Sequence, residues 1–440
     1  MRRLLHTGLN AGGESPQVVG GRGAYFFLSN GQSVLDGSNT GGPLGHGHPR
    51  MAEALRAAAD LPMVSEGWNW QGRDKAADDL FEIGLVGEDT WAGAVRFCLS
   101  GSEANDVALS LSQALTGRQA IATRERAYHG LVGLSRDVTV QPHWHGGLAA
   151  PNGGSKMPAP CAPVHVLPAP DGALYLAGSD LKSNETLEQR LAQAPTQLAQ
   201  SAAVIIDYTQ GGFYHDGAYQ DAVAGIARRE GALWIADEVV TGLGRAGRGF
   251  AFQGGASRPD IVTLGKGLGG GMVAVAAIVL SKDVVAELKG KSWQNYGTLR
   301  GHPLAMAAVS AYLRIVRDEG LLGRVHELER RYADRLREIG RRHPSVARIA
   351  GQGLHWTIEL HGPDWRQWLA DTLEPPIASR VSAKALSLGA VVGTSGEQTS
   401  LFLAPPLIIS DEESDRLLGI LDESLELADR EHNTLMNKAH

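Results

Sequence analysis

The chain has 440 residues, with 41 basic and 48 acidic side chains and a formal charge of −7 at pH 7. Hydrophobic residues make up 43% and charged residues 20%, the balance of a folded globular protein, which excludes a disordered or collagen-like chain. Mild acidity without a Lys/Arg stripe argues against a nucleic-acid surface.

The longest clean apolar run, Met272 to Leu280, is too short to span a bilayer. Arg2 and Arg3 are followed only by Leu4 and Leu5 before polar residues, which is not a signal-peptide pattern, so a cytoplasmic protein is expected. Cys98 and Cys161 are too few for a disulfide framework and lack metal-ligand spacing.

In chain order, Ala24–Phe27 and Ser33–Leu35 around Asn30-Gly31 read as a hairpin. Val95–Leu99 is a predicted buried strand, followed by Gly101 and a helix from about Ser102 to Leu115, with Ser102 as its cap. Ala120–Thr123 is strand-like, and the Gly- and Pro-rich stretch from His143 to Pro170 reads as a long loop, either a surface excursion or a lid. Ala203–Asp207, Leu233–Ala236 and Ile261–Leu264 are predicted strands ending at or beside Asp207, Asp237 and Lys266. Tyr219–Arg229 is a helix stopped by Gly231, and Val273–Leu280 is a further β-rich run. Strand–helix alternation of this kind implies an α/β fold with a mostly parallel sheet, of seven-stranded type, flanked by helices. After Pro303 come two long amphipathic helices, Leu304–Glu319 and Leu322–Arg341. Strand-like Val346–Leu360, a helix near Ala378–Leu388, strand-like Ser400–Leu403 and a helix from Asp411 follow. The expected division is an N-terminal segment 1–50 that joins a smaller α+β domain, a large domain 51–320, and the C-terminal small domain 321–440.

Four pieces carry chemistry. Ser100-Gly101-Ser102 after a strand opens a helix whose free N–H groups suit an anion, although a Ser cap after a Gly turn is common in any fold. Tyr128-His129-Gly130 offers an aromatic face for a flat ring, or simply a core tyrosine. Asp237 ends a buried strand, where a carboxylate holds a cationic group or caps a turn. Lys266, in Gly265-Lys266-Gly267-Leu268-Gly269-Gly270-Gly271, rises from a strand end between glycines. A lysine there can lose its proton and form a Schiff base. A nucleotide-binding loop needs Lys after the glycines and Ser or Thr next, and Gly267 follows instead.

Together these pieces resemble the class III pyridoxal 5'-phosphate (PLP) aminotransferases of fold type I. The resemblance runs from about Gly37 to Leu427. It includes Leu44–Pro49, Ser100–Asn105, Thr116–Arg118, Tyr128–Gly130, Asp237–Val239, Thr241–Gly247, Gly297-Thr298, His302–Ala305 and Ala404–Leu407. It implies that Lys266 carries the cofactor and moves the proton at the substrate carbon, while Asp237 pairs with the pyridine nitrogen. Gly101 and Ser102 would hold the phosphate, Tyr128 would stack on the ring with His129 beside it, and Thr298 would reach the phosphate of the neighbouring subunit in a homodimer with shared sites. His46-Gly47-His48 becomes a structural turn, and no metal is expected.

Departures from the family bear on substrate. Members acting on ω-amino acids carry an Arg that clamps a carboxylate just before the Ala-Pro-Pro-Leu-like segment; here that position is Phe402. Their Glu-Pro-x-Gln-Gly-Glu-Gly stretch corresponds to Asp207–Phe213, so the Glu that neutralises the clamp falls at Gly212. Losing Arg and Glu together is physically consistent, because a buried Glu without its Arg costs several kcal/mol. Leu131 stands where aminobutyrate-type members place an Arg after His-Gly, and Val240 where many place a Gln near the cofactor hydroxyl. Arg245 and Arg300 remain as candidates for a donor's carboxylate. Glu66, Trp68 and Trp70 fall where the family lines its substrate channel, and Tyr208, His143, Trp144 and His145 join them as candidates; Trp68 and Trp70 serve equally as dimer-interface aromatics. An aromatic, clamp-free pocket suits an amino sugar or a bulky polyamine, as in class III enzymes of aminoglycoside antibiotic pathways. The expected activity is therefore transamination of an amine or aldehyde lacking the clamped carboxylate. The same motifs serve an isomerase, aminomutase or dehydrating lyase, or a non-catalytic PLP-binding scaffold.

Overall fold

A computed structural model of the chain describes residues 16–141, 148–149, 155–156, 159–178, 184–209, 217–360, 375–395 and 399–439, with backbone alone at 148–149, 155–156 and 435–439. His143, Trp144 and His145 and the stretch 210–216 lie outside the described residues.

The described chain opens with a three-stranded antiparallel meander, β1 (Val18–Arg22), β2 (Tyr25–Leu28) and β3 (Ser33–Leu35). The next strands are β4 (Ala92–Cys98), β5 (Ala120–Arg124), the short pair β6 (Leu148–Ala149) and β7 (Ser155–Lys156), β8 (Val164–Leu167) and β9 (Tyr175–Leu176). Then follow β10 (Ser201–Asp207), β11 (Leu233–Asp237), β12 (Ile261–Leu264), β13 (Ala276–Ser281), β14 (Val346–Gln352), β15 (His355–Leu360), β16 (Gly393–Thr394) and β17 (Ser400–Leu403).

The central sheet has seven strands in the order β4-β13-β12-β11-β10-β5-β8. From β12 to β8 every neighbour is parallel, whereas β13 is antiparallel to both β12 and β4. Every residue of β10 and β13 is buried. This explains their unbroken apolar sequences, since a strand covered by helices on both faces has no polar side to present. The stretch expected as a loop between His143 and Pro170 thus contains an edge strand, β8. Its four residues between Pro163 and Pro168 are too few to show a period.

A second sheet, β16-β17-β15-β14-β9, is antiparallel and mixes C-terminal strands with β9 from the middle of the chain. Its β14–β15 hairpin turns at Gly353, whose φ is +56° and where a Cβ would lie 2.2 Å from the carbonyl of Arg245. Only glycine tolerates both conditions. Single bridges, Leu35 with Ala390 and Ser38 with Ala404, tie the first strands to the C-terminal part.

Helices Pro303–Asp318, Leu321–Arg342 and Asp411–Ala439 match the expected amphipathic stretches. The helix after β4 runs from Gly101 to Thr116. Its N-cap is Ser100 rather than Ser102: the Ser100 hydroxyl accepts from the Glu103 N–H at 3.2 Å, and Gly117 at φ 71° ends the helix. Among the described residues no helix is long and apolar enough to cross a membrane.

Candidate active site

The parallel register sets up the site. Asp207 ends β10 beside Asp237 of β11, and Asp237 pairs with Thr263 of β12. Ligands of open α/β sheets gather at such carboxyl ends. One cleft lies there, lined by Gly101, Ser102, Asn105, Tyr128, His129, Gly130, Asp207, Tyr208, Thr209, Asp237, Val239, Val240 and Lys266. Residues separated by up to 165 positions thus meet at one strand edge.

Asp237 is only 5% exposed and is held from four directions. Its Oδ2 accepts from Asn105 Nδ2 at 2.8 Å and lies 2.7 Å from His129 Nδ1; its Oδ1 accepts from the Val239 N–H at 3.0 Å and the Thr263 hydroxyl at 3.4 Å. A carboxylate only accepts, so His129 donates through Nδ1 and its Nε2 faces the Thr123 hydroxyl at 3.0 Å. Asn105 also donates to the His129 carbonyl at 2.7 Å, which fixes its amide orientation. That leaves Asn105 Oδ1 buried, with no protein partner among the described residues; Thr209 Oγ1 on the cleft wall is in the same state.

Asp207 pairs with the fully buried Arg124, whose guanidinium also reaches the Asp207 carbonyl at 3.3 Å and the Glu125 carbonyl at 2.8 Å. The other Asp207 oxygen accepts from the Tyr128 N–H at 3.3 Å. The Arg124–Asp207 pair therefore orients the turn that presents Tyr128. Burial, with Asp237 nearby, raises the Tyr128 phenol, so it stays neutral. Glu238, next to Asp237, is pushed up to about 7 by burial, against hydrogen bonds from Thr241 at 2.5 Å and the Phe252 N–H at 2.8 Å.

Lys266 follows β12 in a left-handed conformation, φ 39°, which is uncommon for a residue with a Cβ. Strain of this kind is retained where the surroundings over-determine the backbone. Burial holds its ammonium below the ordinary lysine range, partly opposed by Asp237 and Asp207. The glycines around it give close approach: a Cβ on Gly101 would stand 2.8 Å from Val239, and one on Gly130, at φ 129°, would stand 2.4 Å from Ser102 Oγ.

A family model for class III aminotransferases matches residues 12–425. The chain belongs to the class III aminotransferases. Acetylornithine aminotransferase of Caldanaerobacter subterraneus subsp. tengcongensis is 29% identical over 420 residues, covering 93% of this chain and 94% of that one. Diaminobutyrate–2-oxoglutarate aminotransferase of Rhizobium meliloti is 31% identical over 425 residues, 90% of this chain and 85% of that one. Ethanolamine-phosphate phospho-lyase homolog 1 of Caenorhabditis elegans is 28% identical over 435 residues, 92% and 87%. Among solved structures, an S-selective transaminase from Arthrobacter sp. with alanine bound superposes with a TM-score of 0.87 at 27% identity, covering 98% of this chain and 96% of that one. A phospholyase from Arthrobacter in complex with phosphoethanolamine gives 0.79 at 26%, covering 94% and 95%.

This class III aminotransferase is PLP-dependent, and its cleft has the donor set such a cofactor needs. It offers a helix N-terminus with Gly101 and Ser102 that would suit the phosphate, a four-fold-held carboxylate that would suit the pyridinium, a lysine with weakened proton affinity, an aromatic face in Tyr128 and an apolar one in Val239. Two buried oxygens, on Asn105 and Thr209, have no partner among the described residues and remain to receive hydrogen bonds. When bound, the cofactor supplies an aldehyde that accepts amino groups and a ring that draws electrons from the substrate carbon. Asp237, held by His129 and Asn105, would pair with the ring nitrogen, and Lys266 Nζ would be the group placed to hold the cofactor and move the proton at the substrate carbon.

The other expected site residues are placed differently. Tyr208 lines the cleft but is fully buried, and its hydroxyl donates to Gln220 at 2.9 Å. Glu66 does not line the cleft: it pairs with Arg96 at 2.7 Å and accepts from the Gly297 N–H at 2.8 Å. Trp70 packs half-buried on the core with Arg73 over its ring, and Trp68 is 71% exposed, so neither aromatic walls the cleft. Phe402 lies flat on His355, with centroids 5.8 Å apart and planes 3° from parallel. Thr298 is exposed on the loop after Trp293. His46 faces Asp36 at 3.1 Å and His48 faces Glu319 at 3.4 Å, so the two do not converge. Asn105, Asp207, Thr209, Val239 and Gly130 are cleft residues that sequence reasoning gave no role; only the strand-end position of Asp207 hinted at one.

Proposed function

We propose that this class III aminotransferase transfers the amino group of an amine that has no carboxylate at the position an Arg would clamp. The observation carrying this is the Phe402–His355 stack. The position that in ω-amino-acid enzymes holds a guanidinium here carries a phenyl ring, laid on a buried imidazole held neutral. Burial, then the charges of Arg245 and Lys266, push His355 down to about 3. The cations first considered for a donor carboxylate are committed elsewhere. Arg245 donates to the carbonyls of Leu354, Pro405 and Asn39, and Arg300 grips Glu103 and Asn295. An amino sugar or aminoglycoside intermediate belongs to the clamp-free class, supported at the surface by Trp68 alone, and simple monoamines belong to it as well.

The test is the visible spectrum of the cofactor-loaded protein with single additions of glutamate, alanine, ornithine-type ω-amino acids, monoamines, aminoglycosides and phosphoethanolamine. Amines without the carboxylate should convert the cofactor to its amine form. Fast conversion by ω-amino acids with silence from all carboxylate-free amines would sink the proposal.

A second reading is elimination, favoured by phospho-lyases among the relatives in both sequence and structure. Its sign is release of phosphate or water from an amine without consumption of an amino donor. We also propose that two cytoplasmic copies share their sites through the loop bearing Thr298. In support, Tyr296 and Leu299 on that loop are 61% and 50% exposed beside the 71% exposed Trp68.

A further inference from the structure

The first turn of the helix Gly101–Thr116 carries an anion of its own. Glu103 is the third helical residue, after Gly101 and Ser102, and its Oε2 accepts from the Leu99 N–H at 2.7 Å. This stabilises the helix through its dipole. The same position opposes a second anion bound at that N-terminus. Arg300 meets it: Nε lies 2.8 Å and Nη2 2.6 Å from Glu103 Oε1. Arg300 is only 6% exposed and is held in turn by the Asn295 side chain. It belongs to the loop after Trp293, nearly 200 residues away in sequence.

We propose that Arg300 is a positioning and neutralising residue for the cofactor phosphate. It cancels the Glu103 charge so that the helix N-terminus is free to hold a dianion, and it pins the Thr298 loop to that helix. This rests on the reading that the phosphate sits at Gly101 and Ser102. The neighbouring charges do not substitute for it, because Arg96 is spent on Glu66 at 2.7 Å. Without Arg300, the Glu103 carboxylate would face the phosphate with only the Leu99 N–H to offset it among the described residues.

The test compares binding of PLP and of pyridoxal, which lacks the phosphate, to the full-length chain stripped of cofactor. In Arg300→Met the preference for PLP over pyridoxal should fall by about tenfold or more, the size of one uncancelled charge at a partly buried site. Glu103→Gln, which leaves the Arg300 charge uncancelled, should raise the preference, and Glu103→Gln/Arg300→Met should return it to about the wild-type value. Arg300→Lys, which keeps the charge and suits a case where Arg300→Met does not fold, should keep the wild-type preference. Equal weakening of PLP and pyridoxal in Arg300→Met would mean that Arg300 only braces the loop. A double variant as weak as Arg300→Met, or loss of preference in Arg300→Lys, would overturn the proposal too. If Ser102→Ala leaves the wild-type preference untouched, the phosphate sits elsewhere and the underlying reading falls first.

Discussion

His129 Nδ1 stands 2.7 Å from Asp237 Oδ2, the oxygen that also accepts from Asn105 Nδ2 at 2.8 Å. Two donors on one oxygen fix this carboxylate in place on the cleft wall. In Asp237→Asn the amide cannot accept from both donors and also neutralise a pyridinium. Turnover should fall on the order of a hundredfold or more, measured as kcat, while thermal unfolding shifts little. Wild-type kcat in this variant would remove Asp237 from the mechanism.

Lys266 is expected to be indispensable. Lys266→Ala should lose both the visible absorbance of the covalently held cofactor and turnover, and full turnover in the variant would refute its role. The direction of its proton affinity adds a pH effect. Because burial favours the neutral amine, the rate of cofactor capture by the stripped chain should rise with pH through a midpoint below the 10.5 of ordinary lysine. Stopped-flow absorbance across pH 7 to 11 measures that midpoint; a value at or above ordinary lysine contradicts the burial.

Gly130 tests the close approach at the phosphate end. A methyl there would stand 2.4 Å from Ser102 Oγ and 2.8 Å from Ser102 Cα, at a φ of 129° that side chains avoid. Gly130→Ala should displace Ser102 and weaken cofactor retention by about tenfold or more, the effect of losing one well-placed charged hydrogen bond. Equilibrium dialysis reads it, and unchanged retention would detach Ser102 from the phosphate.

Stability should carry a pH signature from the contact between the helices Leu321–Arg342 and Asp411–Ala439. His343 lies between Asp429 at 2.6 Å and Asp422 at 2.9 Å, bridging the end of helix Leu321–Arg342 to helix Asp411–Ala439. Burial works against its charge, but the two carboxylates outweigh it and raise its pKa above the ordinary 6.5. A raised histidine contributes in full below the unfolded pKa, and the contribution is lost as pH rises through the folded value. His343→Gln should therefore cost about 2 kcal/mol near pH 6 and much less near pH 9. Asp429, lowered by its His343 and Ser345 bonds against burial, keeps the opposite limb: its contribution disappears as pH falls below the carboxylate range. Denaturant melts at three pH values separate the two, and a pH-independent cost would assign His343 a packing role only.

Most of the central sheet is legible in the sequence because its strands are doubly covered: Ala203–Asp207, Leu233–Ala236 and Ile261–Leu264 have no polar face to blur them. Strand β8 is not legible, since four residues between prolines have no period of their own and become a strand only by pairing with β5. Ser100-x-x-Glu103 is itself a capping pattern, and it points to Ser100 rather than Ser102 as the N-cap.

The sequence by itself determined the family and the α/β class, and it singled out Lys266 and Asp237 as candidates, because a Gly-flanked lysine and a strand-end carboxylate are local patterns. The tertiary structure alone decided which residues surround them. Asn105 and His129 on Asp237, Arg124 on Asp207 and Arg300 on Glu103 are contacts between positions 83 to 197 residues apart, formed by strand register and loop docking. It also withdrew Glu66, Trp70 and Phe402 from the cleft. A charge or ring near the site in sequence is drawn to whichever partner the fold brings closest, and for these three the partners were Arg96, Arg73 and His355.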